Sequence, residues 1–405
     1  MARAGKRWPI ALFSSELVDI IRLMKRGKPG GGVEGGAQKR LVVKLGTNLL
    51  TAGTDRLDLG VMATLVEQVA RLHHRGLELL IVSSGAIAAG RHKLGLAMKR
   101  RDIPFKQVLA SVGQSSLMHA YEQFFAWHGI TVAQALLTKA DLSDRAGYLN
   151  ARNTLSALLE LGVVCIVNEN DVVAIDEIQE ARFGDNDNLS AMVANLVDAD
   201  LLLILSDIPG LYSADPHRDP GARLIRRVEG IDAEVERLAG KVGSQRGTGG
   251  MVTKIEAAKL ATASGVTVVI ADGREPDVLI RLVAGEPVGT LFPPAMGKME
   301  SRKRWMLSGL SSKGRVVVDG GAVSALKRQK RSLLPTGVTE VGGDFHRGDA
   351  IDIVDPQGNR IGCGISNYAA GDVAVIKGVR SDRIAALLGY EYGAEIVHRN
   401  NLVML

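Results

Sequence analysis

Short apolar runs alternate with stretches of helical periodicity between residues 41 and about 285. The run at 41–45 is apolar enough for a buried strand, and residues 58–75 repeat apolar positions at close to the 3.6-residue interval of an amphipathic helix. The same alternation predicts helices near 105–127, 148–161, 188–198 and 251–264, and strands at 78–82, 131–137, 163–167, 201–205 and 266–270. Continuous apolar strands separated by helices indicate a mainly parallel sheet inside a three-layer α/β/α sandwich.

A stretch rich in Pro, Gly and Met at 286–305 breaks this alternation. Short β-like pieces follow it at 315–319, 350–355 and 372–378, with turn residues between them. The sequence therefore predicts a catalytic domain over 41–290, a linker over 291–310 and a small, mostly-β domain over 311–405.

Residues 1–40 differ from the rest of the chain in charge. They hold nine Lys/Arg and three Asp/Glu, which accounts for the whole net charge of +6 and leaves the body neutral. Basicity confined to one end is weak evidence for a body that binds nucleic acid. We expect residues 1–40 to be a disordered extension. A short membrane-surface helix and a translation start at Met24 remain alternatives.

Composition narrows the functional class. No run approaches the roughly 18 apolar residues of a membrane-spanning helix. Cys165 and Cys363 lie too far apart for a metal or disulfide motif, which favours a reducing cytoplasm. The chain has no P-loop, no GxGxxG after the first strand, no HExxH and no GxSxG, which argues against P-loop NTPases, dinucleotide oxidoreductases, zinc proteases and serine hydrolases.

Polar residues follow several of the predicted strands. Lys44 ends the first strand, two serines and a glycine follow the second at 83–85, and the segment VNENDVV occupies 167–173. Ser206 and Asp207 come directly after the strand at 201–205. Ligands of parallel sheets bind outside the carboxyl ends of the strands, so these residues are candidates for one site.

Two further loops carry the most specific chemistry. GDNDN at 184–188 places two aspartates and two asparagines before an apolar run, so we expect a helix to begin near 188 with one of these side chains as its cap. GTGGMVTK at 247–254 combines glycines, whose backbone can approach a phosphate closely, with the cation Lys254. Together these loops suit a small zwitterionic substrate that meets a nucleotide.

These motifs, in this order and at these separations, resemble the glutamate 5-kinases of the amino-acid kinase superfamily. The resemblance rests on LVVKLGTN, IVSSGAIAAG, VNENDVV, GDNDNLS, LSDIPGLYSADP and GTGGMVTK, and it extends from about residue 40 to the end. The last part, with SLLPTGV, FHRGD and LGYEYGAEIVHRNNLV, is similar to a PUA domain. The resemblance implies ATP-dependent phosphorylation of the L-glutamate side-chain carboxylate to glutamyl 5-phosphate, which opens proline biosynthesis.

The same resemblance implies roles for individual residues. It assigns catalysis to Lys44, Lys254, Asp185 and Asp187. It assigns glutamate binding to Ser84, Gly85, Asp171 and Asn186. It assigns ATP binding to Lys44, Ser206, Asp207, Thr248, Gly249, Gly250, Met251, Val252, Thr253 and Lys254. We expect each aspartate to be paired with a lysine or an ammonium group, because a free carboxylate beside phosphate would be repulsive.

The implied ligands and partners are ATP with Mg²⁺, L-glutamate, proline as a feedback inhibitor, and further copies of the chain in a dimer or tetramer. Because Mg²⁺ dehydrates reluctantly, we expect the ATP phosphates to hold it and assign it no protein ligand. RNA is a possible partner of the basic cluster at 327–331, but we favour a solvated surface turn there.

Two rival interpretations remain. Relatives in the superfamily act on other anionic acceptors, such as acetylglutamate, aspartate, carbamate or UMP. The NEND and GDNDN segments, together with the PUA-like C-terminal part, argue against each of them. The chain could instead be an RNA-binding protein built on an inactive kinase domain. Both Lys44 and Lys254 are present, which argues against that second interpretation.

Overall fold

The computed structural model describes residues 40–95, 102–174, 186–216, 218–241, 250–295 and 312–405. Three predicted features lie wholly or mostly outside the described residues: the extension at 1–40, the linker at 291–310, and the site candidates Asp185, Thr248 and Gly249. The chain divides into two compact units. The first holds the residues up to 136 together with 158–262 and 266–294, and the second holds 137–157, 263–265 and 295–405.

A seven-stranded sheet forms the centre of the first unit. Its strands are β1 (Arg40–Leu45), β2 (Glu78–Val82), β3 (Val132–Leu137), β4 (Val164–Glu169), β5 (Leu201–Ser206), β6 (Thr267–Asp272) and β7 (Thr290–Phe292). They lie in the order β3-β4-β2-β1-β5-β6-β7. β1 runs parallel to β2 and β5, β2 runs parallel to β4, and β5 runs parallel to β6, whereas β7 is antiparallel to β6. The predicted mainly parallel sheet is confirmed.

The helices between these strands include the five that the periodicity predicts and five shorter ones that it does not. Those up to the end of the first unit are α1 (Thr47–Leu50), α2 (Leu59–His73), α3 (Ala86–Leu94), α4 (Ile103–Ala126), α5 (Lys139–Ser143), α6 (Arg145–Glu160), α7 (Asp187–Leu196), α8 (Ala233–Lys241), α9 (Met251–Ala263) and α10 (Val278–Ala284). Aspartate side chains cap the N-termini of α2 and α4, because Asp58 accepts from the N–H of Val61 and Asp102 from that of Phe105. Every residue of β2 is buried. Since successive side chains point to opposite faces, both faces of the sheet are covered there.

The second unit contains a five-stranded sheet. Its elements are β8 (Gly314–Val318), α11 (Gly320–Gln329), β9 (Val338–Gly343), β10 (Ala350–Val354), β11 (Arg360–Ile365), α12 (Ala370–Ile376), α13 (Ile384–Leu388) and β12 (Leu402–Met404), with short 3-10 turns at Pro335–Gly337, Ser381–Arg383 and Arg399–Asn401. The strands lie in the order β12-β11-β10-β8-β9. Strands and helices share one apolar core, which includes Val316, Leu326, Ile353, Tyr368 and Val373. The prediction of a small, mostly-β domain is confirmed.

One strand prediction in this unit is wrong. Residues 372–378 read as a β-like piece, but Ala370–Ile376 forms α12. Val373 and Ile376, three positions apart, are both fully buried, whereas Val375 is 53% exposed. That spacing belongs to one face of a helix. The Asp372 carboxylate also accepts from the N–H of Ala369 and so secures the start of the helix.

The second unit also includes the first part of α6. Leu149 packs with Cys363, Ile365 and Val403, and Arg145 forms an ion pair of 2.5 Å with Asp349. The basic cluster at 327–331 lies exposed at the end of α11. None of the helices in the described part of the chain is both long and apolar enough to cross a lipid bilayer.

Candidate active site

The predicted site residues that the structure describes lie at one edge of the large sheet. β1, β2, β4 and β5 are linked by parallel pairing, so their carboxyl ends lie along the same edge. Lys44, Ser84 and Ser206 lie within two residues of the ends of β1, β2 and β5. The N-termini of α7 and α9 bring Asp187 and Lys254 to the same place.

Three buried charges form the centre of the site, and we call them the charge cluster: Lys44, Asp187 and Lys254. The Nζ atom of Lys44 lies 2.7 Å from Asp187 Oδ1, and that of Lys254 lies 3.2 Å from Asp187 Oδ2. All three residues are at most 1% exposed. The expectation that Asp187 is paired with lysine is confirmed.

Two lysines against one carboxylate leave the charge cluster with a net positive charge. Burial lowers the pKa of Lys44 from 10.5 to about 8, against the opposing effect of Asp187. Burial by itself would raise the pKa of Asp187, but the charges of Lys254 and Lys44 outweigh it and hold this pKa below its ordinary 3.8. Around neutral pH the cluster is therefore suited to attract an anion.

Local structure adds further positive potential. Asp187 is the first residue of α7 and Lys254 lies in the first turn of α9, so two helix N-termini face the cluster. The hydroxyl of Thr253 lies 2.8 Å from Asp187 Oδ2 and can donate to it. The carboxylate is thus fixed by two cations and a hydroxyl, and its orientation is set before any ligand arrives.

Neutral amides lie beside the charge cluster. α7 begins at Asp187, as predicted, but no side chain caps its backbone at Asn186, so that part of the prediction is wrong. The Asn186 amide instead donates Nδ2 to the backbone oxygen of Ser83 and, at 2.6 Å, to Asn168 Oδ1. Tertiary hydrogen bonds thus take the place of the local cap.

The remaining predicted acceptor-binding residues follow the ends of β2 and β4. Ser84 is 4% exposed, and its Oγ has no hydrogen-bond partner among the described residues. Gly85 has a φ of 94°, which favours glycine, and stands directly before α3. Asp171 lies in the turn that follows β4 and is half-buried.

The predicted nucleotide-binding residues lie at the end of β5 and the start of α9. Ser206 is buried, and its Oγ accepts from the N–H of Ile208 at 3.3 Å. Asp207 is held on both sides, because Asn48 donates to its carboxylate at 3.2 Å and Arg274 donates to its backbone oxygen at 2.7 Å. The described part of the glycine loop begins at Gly250, and Met251 and Val252 lead from it into α9.

Several residues at this edge went unnamed among the predicted site residues. They are Asn48, Ser83, Gln114, Tyr121, Asn168 and Arg274. Asn168 belongs to the NEND segment, which drew attention as a whole. Gln114 and Tyr121 lie inside α4, where only their side of the helix distinguishes them from ordinary helical residues. No motif in the sequence signals their approach to the strand ends.

No protein cage for a metal ion is present in the part of the chain that the structure describes. Nowhere there do three or more His, Cys, Asp or Glu side chains converge as ligands. The one carboxylate in the charge cluster is already occupied by Lys44, Lys254 and Thr253.

Comparison with known proteins identifies the family. A sequence model of the amino acid kinase family matches residues 39–272, and one of the PUA domain matches residues 314–388. A glutamate 5-kinase from Dehalococcoides mccartyi is 58% identical over 373 residues, which cover 92% of this chain and 100% of the relative. Glutamate 5-kinases from Herpetosiphon aurantiacus and Pelobacter propionicus are 56% and 48% identical, over 90% and 91% of this chain and 98% of each relative. The chain therefore belongs to the glutamate 5-kinases of the amino acid kinase family and carries a PUA domain.

Proposed function

We propose that this chain transfers the terminal phosphoryl group of ATP to the side-chain carboxylate of L-glutamate. The product is L-glutamyl 5-phosphate, an acyl phosphate, and the step opens proline biosynthesis. The observation that carries the proposal is the buried pairing of Asp187 with both Lys44 and Lys254. Family membership supplies the substrates, since the relatives bear the name glutamate 5-kinase.

The charge cluster suits the electrostatic difficulty of this reaction. A glutamate carboxylate has a pKa of about 4.3, so it is already ionised at neutral pH and needs no general base. The obstacle is that an anion must approach a polyanion. Phosphoryl transfer depends mostly on positioning and on stabilising charge in the transition state. We assign that stabilisation to Lys44 and Lys254, with Asp187 holding both ammonium groups in place.

We assign the acceptor site to the residues beside the charge cluster. Ser84, Gly85, Asp171 and Asn186 would hold L-glutamate, with carboxylates directed to its ammonium group and neutral donors to its carboxylates. Asp185, which lies outside the described residues, would contact either a lysine or the substrate ammonium. A site built mostly from neutral groups orients the substrate without competing with the lysines for the phosphate.

We assign ATP to the end of β5 and the glycine loop. Ser206 and Asp207 would contact the nucleoside, and Thr248–Lys254 would follow the phosphates, with backbone N–H groups at the start of α9 directed toward them. Asn48 and Arg274 would keep Asp207 in place. We propose that Mg²⁺ enters as its ATP complex and is held by the phosphates and water, where it would neutralise phosphate charge.

Three further properties are proposed from family membership. Proline would inhibit the enzyme by feedback, the chain would form a dimer or tetramer, and it would work in the cytoplasm. Both cysteines are buried free thiols, which suits a reducing compartment. Light scattering coupled to size exclusion would measure the oligomeric state, and titration of the reaction with L-proline would measure inhibition.

The reaction is tested by trapping its product. Purified protein is mixed with ATP, Mg²⁺, hydroxylamine and one acceptor at a time, and the iron complex of the hydroxamate is measured. We expect a signal with L-glutamate and none with aspartate or N-acetylglutamate. A signal that favours another acceptor, or none from folded protein that binds ATP, would refute the proposal.

A matched pair of variants links the signal to the charge cluster. Lys254→Ala removes a buried cation, whereas Lys259→Ala removes an exposed cation from the same helix, where it is paired with Glu236 at 2.6 Å. We expect the first variant to lose the hydroxamate signal and the second to retain it. Equal signals would separate the activity from the charge cluster.

A further inference from the structure

Three amide side chains beside the charge cluster are joined by hydrogen bonds. We call the chain of Asn186, Asn168 and Gln114 the amide network. Asn186 donates to Asn168 Oδ1 at 2.6 Å, and Asn168 Nδ2 donates to Gln114 Oε1 at 2.7 Å. At its Asn186 end, the amide network is anchored by a hydrogen bond from Asn186 Nδ2 to the backbone oxygen of Ser83. The network therefore begins beside Asp187 and ends on α4.

Backbone groups fix the orientation of each amide in this network. Asn168 Oδ1 accepts from the backbone N–H of Glu169 at 2.9 Å, and a backbone N–H can only donate. The other end of that amide, Nδ2, therefore faces Gln114, which must present its oxygen. Asn186 is fixed in the same way, because it donates to the backbone oxygen of Ser83. The nitrogen and the oxygen of each amide are therefore assigned from their hydrogen-bond partners.

This orientation leaves one donor over. Gln114 Nε2 is buried, and no acceptor lies within hydrogen-bonding distance of it among the described residues. The buried Oγ of Ser84, beside the anchor of the same network, is also without a partner there. A buried donor without an acceptor destabilises the protein, because its hydrogen bonds to water are lost and not replaced. A ligand that offers an acceptor to Gln114 would remove that destabilisation.

Close helix packing holds Gln114 at this position. Gly113, its neighbour, meets α3 so closely that a Cβ atom there would lie 1.8 Å from the backbone oxygen of Ala86. A Cβ at Gly90 would lie 1.9 Å from the backbone oxygen of Leu109. Both contacts require glycine. They fix α4 against the helix that starts directly after Ser84 and Gly85, so Gln114 is directed to the site by a rigid element.

We propose that Gln114 binds the α-carboxylate of the amino-acid acceptor through its Nε2 and so selects acceptors that carry this group. The proposal rests on the proposed function, in which the other carboxylate reacts beside the lysines. Asn186 adjoins Asp187, and Gln114 lies two hydrogen bonds farther along the network, at its end away from the charge cluster. A neutral amide binds a carboxylate by a charge-assisted hydrogen bond without adding a cation that would compete for the phosphates.

The decisive variant is Gln114→Glu in the full-length chain. It keeps the side-chain size and the oxygen that accepts from Asn168, but it replaces the free N–H donor with a carboxylate oxygen. A hydrogen bond to a charged group contributes about 1.5–3 kcal/mol, so we expect the KM for L-glutamate to rise about 10- to 100-fold. The KM for ATP should change less than about threefold, because the variant weakens binding of the acceptor and does not alter the contacts of the nucleotide.

Gln123→Glu is the matched control. Gln123 lies on the same helix, is exposed, and contacts His119 at 2.9 Å on the protein surface. The control introduces the same charge into α4 and should leave both KM values unchanged. If Gln114→Glu unfolds, as thermal unfolding would show, Gln114→Ala supplies the same comparison without a new charge.

A substrate analogue separates binding from support of Asn168. 4-Aminobutyrate is L-glutamate without its α-carboxylate, and its remaining carboxylate can still react. The ratio of kcat/KM for L-glutamate to that for 4-aminobutyrate should fall at least tenfold in Gln114→Glu, because only L-glutamate loses an interaction. An equal loss for both acceptors would mean that Gln114 merely supports the network, and would overturn the proposal.

Binding without turnover keeps this proposal distinct from the proposed function. Thermal stabilisation by L-glutamate, measured without ATP, reports acceptor binding alone. Stabilisation that disappears in Gln114→Glu supports the role of Gln114 even if no acyl phosphate forms, in which case only the reaction is refuted. The opposite outcome is that the wild-type chain forms the acyl phosphate while Gln114→Glu changes neither the KM for L-glutamate nor the thermal stabilisation by L-glutamate. That outcome refutes the role of Gln114 but not the reaction.

Discussion

The charge cluster and the amide network lie side by side, yet they are built on opposite principles. In the cluster, three full charges are removed from water and compensate each other incompletely. In the network, neutral amides satisfy one another in a fixed order. A buried ammonium group stabilises developing negative charge strongly, but it restricts the direction of a ligand's approach only weakly. An amide binds more weakly, but its defined donor and acceptor atoms fix the orientation of the ligand. The charge cluster therefore suits acceleration of the reaction, and the amide network suits recognition of the acceptor.

The largest expected effect tests the charge cluster. Lys254→Ala should lower kcat on the order of 100-fold or more, and far more than it raises the KM for L-glutamate, because this cation acts mainly on the transition state. Steady-state kinetics in both substrates, with Lys259→Ala as the exposed control, measure the effect. A kcat close to that of the unmodified chain would show that Lys254 does not stabilise the transition state. The charge cluster would then no longer differ from the amide network in its effect on the rate.

The second effect tests the amide network at its junction with the cluster. Asn186→Ala should chiefly raise the KM for L-glutamate, by about 10- to 100-fold, since a hydrogen bond to a charged substrate group is lost. Asn195→Ala, on the same helix but bonded at 3.4 Å to the backbone oxygen of Leu260, is the control. An effect confined to ATP would place Asn186 with the nucleotide instead.

The third effect uses pH to separate the two ends. A lysine is charged below its pKa, so the lowered pKa of Lys44, about 8, means that its charge is lost as pH rises through that value. We expect kcat/KM for ATP, which reports the free enzyme, to fall by about tenfold for each pH unit above this point. Bound phosphates favour the charged form, so kcat should hold to higher pH.

Lys44→Arg is the control for this profile. A guanidinium stays charged throughout the range, so whatever activity the variant retains should lack the alkaline fall near pH 8. The same fall in this variant would assign the titration to another group. The side chains of the amide network do not titrate. If the charge cluster serves only the nucleotide, binding of L-glutamate without ATP should therefore follow the same pH profile in the unmodified chain and in Lys44→Arg.

The sequence predicted the charged end of the site far better than the neutral end. Lys44 and Asp187 lie at the end of a strand and the start of a helix, and such positions are readable because apolar patterns mark where elements begin and end. Lys254 was readable as well, because it is the cation that ends a glycine-rich loop. The strand ends then meet by the geometry of a parallel sheet.

The amide network was beyond the sequence because it depends on how elements pack. Gln114 lies within a 24-residue helix, and nothing local shows which turn of that helix touches β4. Asn186 stands where a cap is expected, and its local preference for capping yields to partners on two distant strands. α12 was missed for a related reason. Its sequence alternates like a strand, and only burial of Val373 and Ile376 on one side reveals the helix.

The smallest expected effect lies at the anchor of the amide network. Tyr121 Oη and Ser83 Oγ share a hydrogen bond of 2.8 Å, and burial raises the pKa of Tyr121, so the phenol stays neutral and can donate. Tyr121→Phe should lower the free energy of unfolding by about 1 kcal/mol. It should change the KM for L-glutamate by less than about threefold, because the backbone oxygen of Ser83 holds Asn186 and not its hydroxyl.

A double-mutant cycle of Tyr121→Phe with Ser83→Ala measures this bond directly in denaturant unfolding. The two changes should be non-additive by about 0.5–1.5 kcal/mol, the usual contribution of one buried hydrogen bond. Additive losses would show that the hydroxyls do not interact. A large rise in the KM for L-glutamate from Tyr121→Phe alone would show that the network transmits small displacements of β2 to the substrate. Binding by the amide network would then depend on the exact position of the neighbouring strand. The network and the charge cluster would differ in the groups they present to the substrate and not in how rigidly those groups must be held.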